Sequence, residues 1–114
     1  MTAYAMAHLH NPNINEDVLE YLERIQGTLD PYDGRFIVHG GEPEVLEGNW
    51  PGTVVIIEFP SADAARDWYR FDGYQDIVTL RTDNIRGDAL IIEGVERGHD
   101  SAQMAAELRT QLAA

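Results

Sequence analysis

The sequence contains no cysteine and no lysine. Without cysteine, a disulfide framework, a thiolate nucleophile, an iron–sulfur cluster and a thiolate zinc site are all excluded. Because every positively charged side chain is arginine, catalysis through a Schiff base on a lysine side chain is excluded as well.

Positive charge is also scarce overall. The formal net charge is −12 and the sequence pI is about 4.4, which argues against binding to nucleic acid or to an anionic membrane surface. No run of the chain reaches the roughly 20 apolar residues that span a bilayer, and the first ten residues lack the basic segment of a secretory signal. We therefore expect a cytoplasmic protein with no nucleic-acid or membrane partner.

The length of 114 residues suits one domain. Residues 3–10 alternate between alanine-rich and larger side chains, a period of two that predicts a strand. The alanine face leaves room for helices to pack closely, and the larger, partly polar side chains are on the opposite face. This second set comprises Tyr4, Met6, His8 and His10.

Two later runs also read as strands. Residues 53–59 are β-branched and almost continuously apolar, which is typical of a central strand covered on both faces. Residues 35–38 predict a strand, with Phe36 and Val38 on one face and Arg35, Ile37 and His39 on the other. Residues 89–93 predict a last strand, and Val45 with Leu46 a short additional one.

The segments between these strands have apolar residues at helical spacing. We expect a first helix capped by Asn13 or Asn15 and ended near Pro31, and a second helix capped by Ser61. The second helix is predicted to break at residues 72–73 and to resume over residues 74–85. Ser101 is predicted to cap a last amphipathic helix. The order β-α-β-β-α-β predicts an α+β, ferredoxin-like fold with an antiparallel sheet, over residues 1–96, with residues 97–114 as an appended C-terminal helix.

The ordered set GRFIVHGG, EVLEGNW, VVIIEFPS, A-x-x-WY, YQ and LIIEG resembles the family called domain of unknown function 1330, within the dimeric α/β-barrel superfamily. The resemblance covers residues 4–95 and implies a homodimer in which two sheets pack face to face. The superfamily includes small monooxygenases, haem-degrading and dye-decolourising enzymes, muconolactone isomerase-like proteins and effector domains of transcription regulators. His39 stands where this family usually has an arginine, so no arginine-based role is carried over.

Candidate acid–base chemistry centres on His8, His39 and Glu58. Both histidines are predicted to face away from the helices, and Glu58 lies in the central strand among apolar residues. A His–Glu pair could transfer protons in a cavity. The alternative is that Glu58 pairs with an arginine such as Arg81 and only holds the fold, because a buried carboxylate needs a partner.

Aromatic residues and Arg81 are candidates for substrate binding. Trp50, on a loop rich in glycine and proline, could contact a ligand or a partner subunit, and Arg81 could hold a carboxylate. Trp68, Tyr69 and Tyr74 could also line a pocket for a flat aromatic ligand, but the helical spacing of Trp68 and Tyr69 is more typical of core positions. His8, His10, His39 and Glu58 have the right chemistry for zinc or non-haem iron, but no strict metal motif is present. We therefore predict no metal and no cofactor.

The leading functional interpretation is a small dimeric protein that binds a small organic metabolite in a cavity between sheet and helices. It could be a cofactor-independent enzyme that uses histidine and glutamate as acid and base. A non-catalytic dimerisation or interaction module is the alternative, and a metal- or haem-dependent small monooxygenase is the third interpretation.

Overall fold

A four-stranded antiparallel sheet organises the molecule in the computed structural model, which describes residues 1–113. Strand β1 is Ala3–His10, β2 is Arg35–His39, β3 is Gly52–Phe59 and β4 is Arg86–Glu93. Their order across the sheet is β2-β3-β1-β4, and every pairing is antiparallel. The two long central strands, β1 and β3, therefore connect the edge strands.

Four α-helices lie within the described part of the chain. Helix α1 is Glu16–Leu29, α2 is Ala62–Arg70, α3 is Asp72–Thr82 and α4 is Ser101–Ala113. A short 3-10 turn, Asp30–Tyr32, follows α1. The element order β1-α1-β2-β3-α2-α3-β4 confirms the predicted α+β, ferredoxin-like architecture. The division into residues 1–96 and 97–114 stays a prediction.

Side-chain caps fix where the first helices begin. The Asn15 side chain accepts a hydrogen bond from the Val18 backbone N–H at 3.0 Å, and Ser61 accepts one from Ala64 at 3.0 Å. Each cap satisfies a backbone donor that has no partner within its helix. For α4 the predicted cap is wrong: Asp100, not Ser101, accepts a hydrogen bond from Ala102 at 2.9 Å.

The core lies on one face of the sheet, between the sheet and α1, α2 and α3. The largest fully buried side chains are those of Leu29, Phe59, Tyr74 and Ile77. Ala3 and Ala5 belong to the same layer, because they pair in register with Phe59 and Ile57. The small alanine side chains bring the helices close to the sheet, as the sequence predicted.

Several element boundaries and one short strand differ from the sequence-based expectation. The break between α2 and α3 falls at Phe71, whose extended backbone serves as the C-cap of one helix and the N-cap of the next. Helix α3 ends at Thr82, three residues early, and β4 starts at Arg86 because it pairs along the whole of β1. Val45 and Leu46 form no strand and lie exposed in the loop before β3.

A β-bulge changes the faces of β2. Phe36 pairs with Ile57 but Val38, not Ile37, pairs with Ile56, so an extra residue is inserted between them. The prediction that His39 faces away from the helices is therefore wrong. The His39 imidazole stacks on the Phe36 ring, with centroids 4.0 Å apart and planes 8° apart, on the helix side of the sheet.

Helix α4 lies apart from this core. Within residues 101–113 no side chain is buried. Its large apolar side chains, Met104, Leu108 and Leu112, are 50 %, 47 % and 86 % exposed. None of the helices in the described chain has the length and apolar character needed to cross a membrane.

Candidate functional site

The main cavity lies between the helices and the sheet and has a volume of about 540 Å³. This volume is within the range of about 300–1,000 Å³ that is usual for small-molecule sites. Its walls come from α1, from α2 and α3, and from the helix-facing side chains of the sheet. The aromatic and ionisable side chains among its lining residues are Tyr21, Phe36, His39, Trp68, Tyr69, Tyr74 and Arg81.

Trp68 and Tyr74 form the rigid aromatic wall of the cavity. Their ring centroids are 4.2 Å apart, and both side chains are buried. The Trp68 indole N–H donates a hydrogen bond to the Thr28 hydroxyl at 3.0 Å, and this hydroxyl donates to the Ile25 carbonyl at 2.7 Å. Because a buried indole N–H needs an acceptor, this relay holds the Trp68 ring in one orientation.

A polar cluster of Tyr21, Tyr74 and Arg81 lies at another part of the wall. The two phenol oxygens are 2.8 Å apart and hydrogen-bonded, and the Arg81 guanidinium carbon lies 5.8 Å from the centre of the Tyr21 ring. Burial raises the pKa of Tyr21, so its hydroxyl stays neutral. Burial alone lowers the pKa of Arg81, but the neighbouring Tyr74 and Tyr21 raise it overall, so the guanidinium stays charged.

His39 lies where β2 ends, at the side of the cavity next to Gly40. The residue keeps substantial solvent exposure, but the flat stack on Phe36 covers one face of the ring. This partial burial lowers the pKa of His39 below its usual value of 6.5. The imidazole is therefore mainly neutral at pH 7 and can accept a proton.

Four of the seven predicted site residues line this one cavity: His39, Tyr69, Tyr74 and Arg81. Tyr74 is buried, Arg81 is half-buried and Tyr69 is 44 % exposed, so the three extend from the core to the surface. Sequence reasoning missed Tyr21 and Phe36. The i, i+4, i+8 spacing of Tyr21, Ile25 and Leu29 marked Tyr21 as an inward position of α1.

The other three predicted residues are on the opposite, open face of the sheet. His8 stacks on Trp50, with ring centroids 4.0 Å apart. Glu58 pairs with Arg35, at 3.3 Å between carboxylate and guanidinium, and not with Arg81 or a histidine. The structure thus does not bring Glu58 and His39 together, because the bulge in β2 places His39 on the helix side while Glu58 lies with Arg35 on the open face.

Comparison with solved structures places the chain among small ferredoxin-like proteins. A protein of unknown function from Rhodopseudomonas palustris is 16 % identical, with 83 % of each chain covered and a TM-score of 0.64. A dimeric ferredoxin-like protein of unknown function from Jannaschia sp. CCS1 is 10 % identical, with 82 % of this chain and 100 % of that chain covered and a TM-score of 0.64. At such identities the likeness establishes the fold.

An enzyme shares this fold as well. SnoaB, a cofactor-independent oxygenase from Streptomyces nogalater, is 14 % identical, with 87 % of this chain and 96 % of that chain covered and a TM-score of 0.54. A comparison with curated proteins gives no match. Residues 2–95 match the family described as a domain of unknown function, DUF1330, as their sequence motifs predicted, and the chain belongs to this family.

Proposed function

We propose that the protein binds a small, flat, mainly apolar organic molecule with one anionic or phenolic oxygen, in the cavity between sheet and helices. The observation that carries the proposal is the cavity of about 540 Å³ with its aromatic wall and a half-buried cation, Arg81, on its lining. Sites for small organic molecules combine apolar walls with a few polar groups that fix orientation. Trp68 and Tyr74 supply the flat surface here, and Arg81 supplies the charge.

His39 is the titratable group on the lining that is placed to move a proton. It is mainly neutral at pH 7, and it lies on the same face of the sheet as the cavity. A neutral imidazole beside a bound phenol or acidic C–H group can act as a general base without a cofactor. His8 and Glu58 do not reach this cavity, so the acid–base role is proposed for His39 alone.

We also propose that the working unit is a homodimer formed through the open face of the sheet. Apolar side chains cover the middle of that face, with Leu90 and Ile92 each more than half exposed and Met6 and Ile56 half-buried. An uncovered apolar sheet face of this kind is costly in water. The dimeric ferredoxin-like protein from Jannaschia has the same fold, which supports a second copy as the partner.

The binding proposal is tested by the fluorescence of Trp68. In a Trp50→Phe background Trp68 is the remaining tryptophan, so emission reports on the cavity wall. We expect 1-naphthoate to quench this emission saturably and its methyl ester to bind more weakly. Arg81→Met should weaken naphthoate binding by about 10-fold or more, because a hydrogen bond to a charged group contributes roughly 1.5–3 kcal/mol.

The matched control is Arg66→Met, an arginine on the surface of α2 that pairs with Asp63 at 2.8 Å. This change removes the same charge from the chain but leaves the cavity intact. Equal affinities of the Arg81→Met and Arg66→Met proteins for naphthoate, or a lack of saturable quenching, would refute the proposed site. A stable dimer without any cavity ligand would instead favour the non-catalytic module.

A further inference from the structure

A second cluster of chemically reactive side chains lies on the open face, at the end of the β1–β4 pair. His8 and His10 are two residues apart on β1 and share a face, and Asp88 on β4 is directly opposite His8 in the antiparallel register. One ligand atom from each of the three lies within 4.8 Å of the other two. The sheet thus brings two imidazoles and a carboxylate together without any contribution from the helices.

Ring stacking holds the two imidazoles in place. Trp50, His8 and His10 form a continuous stack, with centroid distances of 4.0 Å between the first two rings and 4.1 Å between the last two. Stacking on both sides restricts the His8 ring to one plane. The loop before β3 supplies Trp50, which explains why a tryptophan so far from the main cavity is half-buried.

Within the described residues, one buried nitrogen atom of this cluster has no hydrogen-bond partner. His10 Nε2 lies 3.1 Å from an Asp88 carboxylate oxygen, but His8 Nε2 is buried and has no hydrogen-bond partner there. A buried polar atom without a partner costs free energy and needs an explanation. A simple His10–Asp88 ion pair accounts for two of the three groups and leaves His8 unexplained.

We propose that His8, His10 and Asp88 bind one divalent transition-metal ion of the zinc type. Two imidazoles and one carboxylate are a ligand set that suits such ions. The three ligand atoms are already close enough for one ion to bind all of them. Asp88 is 84 % exposed and His10 is 27 % exposed, so the ion would enter from solvent. Water would complete the coordination of the ion.

This site is separate from the cavity of the proposed function. It lies on the other face of the sheet, and none of its three ligands is among the cavity-lining residues. The two proposals can therefore fail independently. The site also departs from the expectation of no metal, because the sequence does not show that Asp88 lies opposite His8.

The test uses the full chain, stripped with a chelator and then dialysed. Calorimetric titration with Zn²⁺ and visible absorption with Co²⁺ measure affinity, stoichiometry and ligand type. We expect one ion per chain, and d–d bands of Co²⁺ with nitrogen ligands. Mg²⁺ provides the comparison for general attraction to a chain of net charge −12, since it prefers oxygen ligands.

Ligand variants identify the residues. Loss of an outer hydrogen-bond partner of a metal ligand costs about 10–100-fold in affinity, and we expect His10→Ala and Asp88→Asn to cost at least that much. His8→Phe keeps an aromatic ring in the stack with Trp50 but removes the ligand nitrogen, so it separates metal binding from folding. His99→Ala is the matched control, because His99 is exposed and lies outside the cluster.

Each result decides the proposal. A single Zn²⁺ per chain, lost in His8→Phe and His10→Ala and retained in His99→Ala, supports it. The proposal is overturned if the parent protein shows no saturable Zn²⁺ binding, if Mg²⁺ competes equally, or if the three histidine variants bind alike. Size-exclusion chromatography with and without Zn²⁺ checks that one chain is enough, and half an ion per chain would overturn the single-chain site.

Discussion

The hydrogen bond between Tyr21 and Tyr74 allows a direct measurement of how the cavity wall is held. The phenol oxygens are 2.8 Å apart and buried, one from α1 and the other from α3. Tyr21→Phe or Tyr74→Phe alone leaves one hydroxyl without its partner, and such a loss costs about 1–3 kcal/mol. The double variant removes both polar groups and keeps both rings, so it should cost far less than the sum.

The expected numbers follow from these terms. With about 1.5 kcal/mol for each single change and about 0.5 kcal/mol for the double change, the departure from additivity is about 2.5 kcal/mol, within the range for contacting residues. Urea unfolding followed by tryptophan fluorescence measures it. A typical slope of about 1–3 kcal/mol per M predicts that each single change lowers the unfolding midpoint by roughly 0.5–1.5 M.

Tyr32→Phe is the matched control for this cycle. The Tyr32 ring packs on Phe71, with centroids 5.4 Å apart, and its hydroxyl makes no hydrogen bond within residues 1–113. We expect this change to leave the free energy of unfolding nearly constant. All proteins are compared at one concentration, because dimerisation would make stability concentration-dependent. Strictly additive effects of the two cavity changes would refute the reasoning.

Two further predictions concern glycine positions and pH. Gly27→Ala should stabilise the protein by about 0.5–1 kcal/mol, because the position is an exposed helical one with nothing within 4 Å of the new Cβ. Gly52→Ala should destabilise it by at least about 1–3 kcal/mol, because its Cβ would overlap the Leu9 backbone carbonyl. Thermal unfolding checks both predictions, since the two variants should shift the melting temperature in opposite directions. The lowered pKa of His39 means that the unfolded chain binds more protons just below pH 6.5, so stability falls as pH decreases through that value. His39→Gln should reduce this fall, and parallel pH profiles of the two proteins would contradict it.

Local sequence signals predicted most of the fold. Ser61 was readable as a cap without a structure, and the first cap was narrowed to Asn13 or Asn15, of which the structure selects Asn15. The strand β3 was equally clear, because a β-branched apolar run between glycine and proline has few alternatives. The helix-facing side chains of these elements are also those that line most of the cavity.

What the sequence did not reveal depends on pairing between distant segments. Alternation in β2 placed His39 on the wrong face, since a bulge appears only when the strand is aligned with β3. The partner of Glu58 was wrong for the same reason: Arg35 is opposite it in that register. Asp88 near His8 is likewise a property of the β1–β4 register, which no local pattern encodes.

The bulge in β2 has a consequence for protein engineering. Because one inserted residue exchanges the two sides of a strand from that point onward, the composition of the cavity depends on chain length as well as on residue type. Deleting Ile37 would restore regular pairing but leave His39 opposite Val55 on the helix side. Inserting one residue between Val38 and His39 would instead place the new side chain opposite Val55 and turn His39 to the open face. Libraries that vary the length of β2 by one residue after the bulge therefore change which of its side chains face the cavity, without any substitution.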